Sequence, residues 1–314
     1  MNARRSPLFP SAPVGWLLAA TAVAAGIPAG AQTIVADVGR GSMGDYVVVS
    51  RSNDRSSVCD EYVNPNALHV PGCSTPDRGA GDGWSAPFSD GRGLVTGLGI
   101  EFDIAGPWKL AFDYGQTQAV FDQTVASTNA QGADFEKLSS EVVAGRERLG
   151  TLTTRGVHGV LMLYPLKEGR LRPYGGIGVG YAALRADFGW NWRRNADPLA
   201  ITTGRDQPNF EEIRRNLAGT TSTGSAVFRE DVRVLVYVAG VDLAVNDRYS
   251  VGLRARRLQY PSQEIGPYVG ETLRGHVPNL RLDGSEPVSA WSTLPRTNVT
   301  TVSVLLKYHF NRRE

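Results

Sequence analysis

The hydrophobic positions of this chain recur with a period of two over eight separated stretches. In residues 300–310, Val302, Val304, Leu306, Tyr308 and Phe310 alternate with Thr301, Ser303, Lys307 and His309. A strand sends successive side chains to opposite faces, so such a segment has one apolar face and one polar face. Residues 94–104 give a cleaner case: Leu94, Leu98, Ile100, Phe102 and Ile104 share one face, and Gly97, Gly99, Glu101 and Asp103 share the other. The same alternation predicts strands over residues 45–51, 108–116, 153–166, 171–188, 232–245 and 249–260.

The connections alternate as well. Ala105-Gly106-Pro107, Lys167-Glu168-Gly169-Arg170 and Asn246-Asp247-Arg248 are tight turns, whereas residues 53–91, 123–150, 191–230 and 261–296 are long and polar. Eight strands, short turns on the side of both termini and long loops on the other predict an all-β fold: an eight-stranded antiparallel up-and-down transmembrane β-barrel with short periplasmic turns and four long extracellular loops. A secreted β-sandwich or soluble barrel also has period two. A soluble sheet, however, carries polar residues on its solvent face, while residues 94–104, 108–116, 232–245 and 249–260 set apolar or aromatic rows opposite polar or small ones. The run Gly175-Gly176-Ile177-Gly178-Val179-Gly180 could suggest a phosphate-cradling loop, but no helical pattern follows it. As a strand it puts Gly176, Gly178 and Gly180 on an inward face, where small residues let other side chains cross a narrow lumen.

The N-terminal residues read as an export signal: Arg4 and Arg5, a short apolar run over 14–27, and small residues Ala29-Gly30-Ala31 at a cleavage site. A membrane anchor is the competing reading, but the run is shorter than the roughly 20 apolar residues a spanning helix needs, and Gly26 and Pro28 break it. The expected organisation is residues 1–31 signal peptide, 32–43 periplasmic N-terminal segment, 44–310 barrel with its loops and 311–314 C-terminal tail. Without residues 1–31 the 33 basic residues become 31 against 31 acidic ones, so the exported chain is neutral and has no global field for nucleic acid.

The pattern resembles the small eight-stranded bacterial outer-membrane superfamily that includes OmpA-type transmembrane domains, OmpW-type barrels and opacity proteins. The resemblance rests on the Pro173-Tyr174-Gly175-Gly176-Ile177-Gly178-Val179-Gly180-Tyr181 stretch and on the terminal strand. It implies the outer membrane of a Gram-negative bacterium, lipids and lipopolysaccharide as surroundings, and Tyr308 and Phe310 as part of the signal read by the barrel-assembly machinery. Asn311-Arg312-Arg313-Glu314 follows Phe310 here, whereas the family usually stops at the aromatic residue.

Candidate chemistry is sparse. Glu101, Asp103, Lys109, Asp113, Asp242, Arg254 and Arg256 fall on inward faces, either as a mutually compensating network or as selectivity charges of a pore; eight strands leave an interior that side chains fill, which favours the network. Cys59 and Cys73 are the only cysteines, and in an oxidising compartment one disulfide is the simple reading; a metal pair with His69 lacks a fourth donor. The histidines His69, His158, His276 and His309 are scattered, and neither Gly-x-Ser-x-Gly nor His-Glu-x-x-His occurs, so a lipid-modifying enzyme is the least favoured class. No cofactor is expected. Trp190, Trp192, Arg193 and Arg194 are read as the start of loop three, either contacting an external protein or glycan or lying at the interface belt against lipopolysaccharide phosphates. The function expected is surface display with a structural or adhesin-like role; a narrow channel or lateral-exit transporter for small or hydrophobic solutes is the alternative.

Overall fold

The computed structural model describes residues 32–52, 66, 69–73, 83–129, 131–134, 140–166, 169–202, 205, 208–269 and 289–310. In chain order the strands are β1 Gln32–Met43, β2 Tyr46–Ser52, β3 Gly83–Phe88, β4 Gly91–Ala105, β5 Trp108–Ala126, β6 Thr128–Asn129, β7 Val142–Leu163, β8 Leu171–Arg194, β9 Thr221–Ala244, β10 Tyr249–Tyr260, β11 Gln263–Val269, β12 Ser289–Leu294 and β13 Thr297–Phe310. Among the described residues, the α-helix α1 Phe210–Leu217 lies between β8 and β9.

Eight of these strands close into an antiparallel ring in the order β1-β4-β5-β7-β8-β9-β10-β13, with β1 paired back to β13 from Gln32↔Phe310 to Met43↔Val299. Closure leaves the ring without a free edge. Around its outside, Ile34, Leu98, Tyr114, Leu161, Ile177, Val179, Tyr237, Leu253, Val304 and Leu306 are exposed, Val179 to 68%. A continuous apolar outer face is what a bilayer requires of a spanning barrel. Trp108, Tyr249, Tyr308 and Phe310 cluster at the end that carries the short turns, the turn end, as an interfacial aromatic girdle does.

The first strand is a correction. Residues 45–51 do not enter the ring, and residues 32–43, expected to be a periplasmic segment, form its first strand. Ile34, Ala36 and Val38 face outward there while Thr33, Val35 and Asp37 are buried. The glycines at 39 and 41 dilute this alternation, so the segment reads weakly beside Val47-Val48-Val49.

Strands β5, β7, β8 and β9 have 19, 22, 24 and 24 residues, far more than the expected segments. The reason lies in the polarity of the alternation, which inverts along each strand. On β8 the outward residues Ile177, Val179 and Tyr181 give way to Arg185 and Asp187, while the inward ones change from glycines to Leu184, Ala186 and Phe188. On β9, Arg229, Asp231 and Arg233 face outward beside buried Phe228, Val232 and Val234, and farther along Tyr237 and Leu243 face outward. Lipid demands an apolar exterior and water a polar one, so the inversion marks where the wall leaves the bilayer.

The other half of the wall also continues. The second sheet has the order β11-β12-β2-β3-β6, which repeats the ring order β10-β13-β1-β4-β5 strand for strand. Each of β2, β3, β11 and β12 is separated from its barrel neighbour by two residues: 44–45, 89–90, 261–262 and 295–296. Pro261 and Pro295 have no N–H for a ladder, and Asp90 has φ 59°, so the wall breaks at these points and resumes. Tyr46, Val48, Ala86, Phe88, Ile265 and Leu294 of this upper sheet share one apolar core with Leu149, Leu152, Leu184, Phe188 and Phe228 of the long wall. The loop end is thus a β-walled extension filled like a soluble protein.

Residues 1–31, expected to be a signal peptide, and the expected tail 311–314 lie outside the described residues.

Candidate functional site

The lumen carries two ion clusters. In the first, Arg254 Nη2 donates to Asp37 Oδ1 at 2.7 Å and Arg254 Nη1 to Asp113 Oδ1 at 3.4 Å. Arg256 Nη2 reaches the same Asp37 oxygen at 3.2 Å and Asp113 at 3.8 Å. Register explains the meeting: β10 places Arg254 and Arg256 on one face two residues apart, and β1 and β5 bring an aspartate to their level from two other strands of the ring.

Nearer the turn end, Lys307 Nζ contacts Glu101 Oε1 at 2.6 Å and Asp242 Oδ2 at 2.8 Å. It also donates to Tyr164 Oη at 2.9 Å, and that hydroxyl donates to Asp242 Oδ2 at 3.1 Å. The Tyr164 and Tyr174 rings stack at 4.9 Å, and the Lys307 ammonium sits 4.9 Å from the Tyr174 centroid. Glu101, Asp242 and Lys307 are all buried. Charges in such a place persist only when paired, and Lys307 pairs with both carboxylates, leaving Asp242 Oδ1 buried without a hydrogen bond.

Of the expected network, Glu101, Asp113, Asp242, Arg254 and Arg256 are buried in these clusters. Asp103 and Lys109 are not: they pair with each other at 3.1 Å at the turn-end mouth, with Asp103 half exposed. Asp37 and Lys307 complete the clusters and were absent from the expected set. Lys307 was legible as the polar member of the terminal alternation, and Asp37 was hidden in the segment assigned outside the barrel. At Gly180 the stripe makes room for a side chain as expected, since a Cβ there would stand 2.4 Å from the His158 ring; at Gly178 a Cβ would stand 2.2 Å from the Gly159 carbonyl, a close approach of the neighbouring strand's backbone.

Between the charge clusters and the apolar core of the extension lies a cavity of about 10 Å³ lined by His158, Thr154, Arg256, Tyr260 and Thr301. That is space for about one water molecule. At the mouth, a wider recess of about 260 Å³ is lined by Asp103, Lys109, Arg172, Asp242, Ser250 and His309. His309 is held there between Ser250 Oγ at 2.8 Å and Thr33 Oγ1 at 2.9 Å. A serine within reach of an imidazole has the outline of a nucleophile and base, but the third partner is a hydroxyl where an orienting carboxylate is needed. Among the described residues, no group of three or more His, Cys, Asp or Glu side chains is arranged for a metal ion.

The four residues assigned to the start of loop three belong to β8 instead. Trp190 and Trp192 face the interior of the extension, where Trp192 meets Trp84 edge-on at 5.7 Å and Trp190 packs against Phe188. Trp190 is partly buried against the apolar core and Trp192 half-buried against Trp84, so both belong to the extension and not to an interface belt. Arg193 faces outward, and Arg194 pairs with Glu141 at 3.2 Å. Glu141 was not anticipated: its other oxygen accepts from the Thr202 N–H at 2.8 Å and hydroxyl at 2.7 Å, fastening loop three to the start of β7. Loop three is therefore residues 195–220, with Ile213 and Leu217 of α1 buried against Ile201. Cys73 is buried and is not a free thiol, while Cys59 lies outside the described residues. Tyr308 and Phe310 pack edge-on at 4.8 Å at the end of β13.

No protein-family model and no curated protein matches the chain. Among solved structures, it is similar to Neisserial surface protein A at 10% identity, covering 90% of this chain and 99% of that one with a TM-score of 0.35. It is similar to the outer membrane protein OprG from Pseudomonas aeruginosa at 11% identity over 89% and 96% with a TM-score of 0.42, and to Ail, the attachment invasion locus protein of Yersinia pestis, at 11% over 90% and 99% with a TM-score of 0.33. The fold assignment rests on the ring itself and not on these likenesses. With its closed wall, apolar belt and charged lumen, the chain is an eight-stranded β-barrel of the outer-membrane type.

Proposed function

We propose that the protein is a closed outer-membrane barrel, with its turn end in the periplasm, that holds a rigid β-walled extension and its loops at the cell surface for a structural or adhesin-like role, without catalysis. The observation that carries this reading is the filling of the lumen at two successive levels, by the paired charges around Arg254 and Lys307 and then by the apolar core around Phe188 and Phe228. A solute passage needs a continuous void, and the cavity lined by His158, Arg256 and Tyr260 between those levels is about 10 Å³. The surface it would offer a protein or glycan partner includes α1, which carries Glu211, Glu212, Arg214 and Arg215. Planar-bilayer recording of the refolded protein tests the reading. Silence over a range of voltages is expected; discrete, ion-selective steps would replace display with the channel.

A further inference from the structure

Where the charged level of the lumen gives way to the apolar core, several buried polar atoms stand without a hydrogen bond. His158, Arg256 and Thr301 are each at most 6% exposed, and both nitrogens of the His158 ring, Arg256 Nε and Thr301 Oγ1 have no partner. All three residues line the cavity of about 10 Å³ between the two levels. Register shows why they converge on a gap. Arg256 and Thr301 are partners on β10 and β13, while Gly115 and Gly156, which also line the cavity, are partners on β5 and β7 and put no side chain into it. A buried polar group left without a partner is costly, so four such atoms on residues around one void point to an occupant.

The lining selects the ligand. Arg256 Nε–H only donates, a neutral imidazole donates from one nitrogen and accepts at the other, and the Thr301 hydroxyl does both. Thr154 also lines the cavity, and its hydroxyl, which accepts from Tyr260 at 3.1 Å, keeps a proton to donate. A molecule that satisfies this set must accept and donate within the volume of about one water. A halide ion accepts only and is larger. Charge does not draw one in either, since Arg254 and Arg256 are balanced by Asp37 and Asp113.

We infer that this cavity is the site of one tightly held water molecule, which accepts from Arg256 Nε, donates to a ring nitrogen of His158 and shares a hydrogen bond with Thr301 Oγ1. It joins β7 to β10 and β13 across the lumen and closes the polar gap between the two filled levels. As a seal it rests on the closed lumen proposed above: a passage carries water through, whereas this molecule stays.

The test uses full-length protein refolded in detergent micelles with isotope-labelled histidine, the His158 signals being those that His158→Gln removes. Magnetic cross-relaxation between the His158 Cε1 proton and water should carry the sign of a water that tumbles with the barrel. Gly115→Ala supplies the displacing group: a Cβ there would stand 3.7 Å from Arg256 Nη1 and 3.9 Å from His158 Cε1, ordinary contact distances beside the same cavity. This variant should weaken the cross-peak several-fold and lower the urea midpoint, because buried polar groups lose their partner. In a dry cavity the same methyl would fill a void and restrict the unfolded chain, raising the midpoint. Thr301→Val, nearly unchanged in shape, should also weaken the peak. Absence of the peak from the native protein, or a raised midpoint for Gly115→Ala, overturns the inference; if Gly115→Ala does not refold, the native peak and its response to Thr301→Val decide. Planar-bilayer recording reports conduction separately, so failure of this site and failure of the closed-lumen reading are distinguishable.

Discussion

Lys307 and Glu101, 206 positions apart in sequence, meet at 2.6 Å inside the barrel, each with about 1–2% of its side chain exposed. The contact joins β13 to β4 across β1, which lies between them in the ring. It is a tie between the last strand and the first half of the wall.

Replacing Lys307 with Met leaves Glu101 and Asp242 buried without their cation. Breaking a buried pair on one side costs about 3–5 kcal/mol, because the orphaned charge keeps its desolvation penalty. Urea unfolding of the refolded barrel should show this loss, and adding Glu101→Gln and Asp242→Asn to the variant should recover most of it. An unchanged midpoint for the single variant would show that the cluster is solvated.

Arg254→Ala should destabilise through Asp37 and Asp113, the two carboxylates it contacts. Asp242, although on the same inward face, belongs to Lys307. A double-mutant cycle separates these: Arg254 should couple to Asp37 and not to Asp242.

The ring was legible because lipid outside and polar groups inside impose opposite demands on alternate residues, as Leu98, Ile100, Glu101 and Asp103 show. The extension was not, because above the bilayer both demands reverse. Arg185, Asp187, Arg229 and Asp231 outside therefore read as loop, although Leu184, Ala186 and Phe228 kept the period. The two clusters were half legible: types and faces were visible, but pairing depends on register between strands far apart in sequence, and β1 had been assigned elsewhere.

Glu147 gives the extension a pH dependence. It lies opposite Trp190, nine residues beyond Tyr181 on β8, where burial pushes its carboxyl up to about 7 despite the hydrogen bond that Trp84 Nε1 donates to it. The folded-state value exceeds the unfolded one, so the extension is most stable below about pH 4.5 as far as this group is concerned, and that contribution is lost as pH rises toward about 7. The span corresponds to a loss on the order of 3 kcal/mol. Hydrogen exchange of β2 and β3 amides, corrected for intrinsic rates, should show more opening at pH 8 than at pH 5, and Glu147→Gln should flatten the difference.

A Cys59–Cys73 bridge would close a loop within the connection from β2 to β3. A closed loop of this size stabilises by about 3 kcal/mol when its geometry is unstrained. Non-reducing peptide mapping should recover one linked peptide; two alkylatable thiols in native protein would exclude it.

Glu141 decides whether loop three stands as a fixed surface. One carboxylate receives the Arg194 guanidinium and both donors of Thr202, and the Glu141 carbonyl accepts the Asn195 N–H at 2.7 Å. Glu141→Ala removes the side-chain anchors and leaves the carbonyl bond. Loss of charge-assisted bonds at a nearly buried carboxylate costs about 1–3 kcal/mol, enough to open residues 195–220 locally while the paired strands on either side stay intact. Protease applied to intact cells should then cut the variant within 195–220 several-fold faster than the native chain, because the rate follows the open population. Residues 191–194 and 221–230 should resist in both, since they are ladder-bonded strand. Equal cleavage of the two chains would mean that the small core of Ile201, Ile213 and Leu217 holds the loop without Glu141. Cleavage at 245–248 on intact cells, with 195–220 protected, would place the turn end outside and invert the proposed orientation.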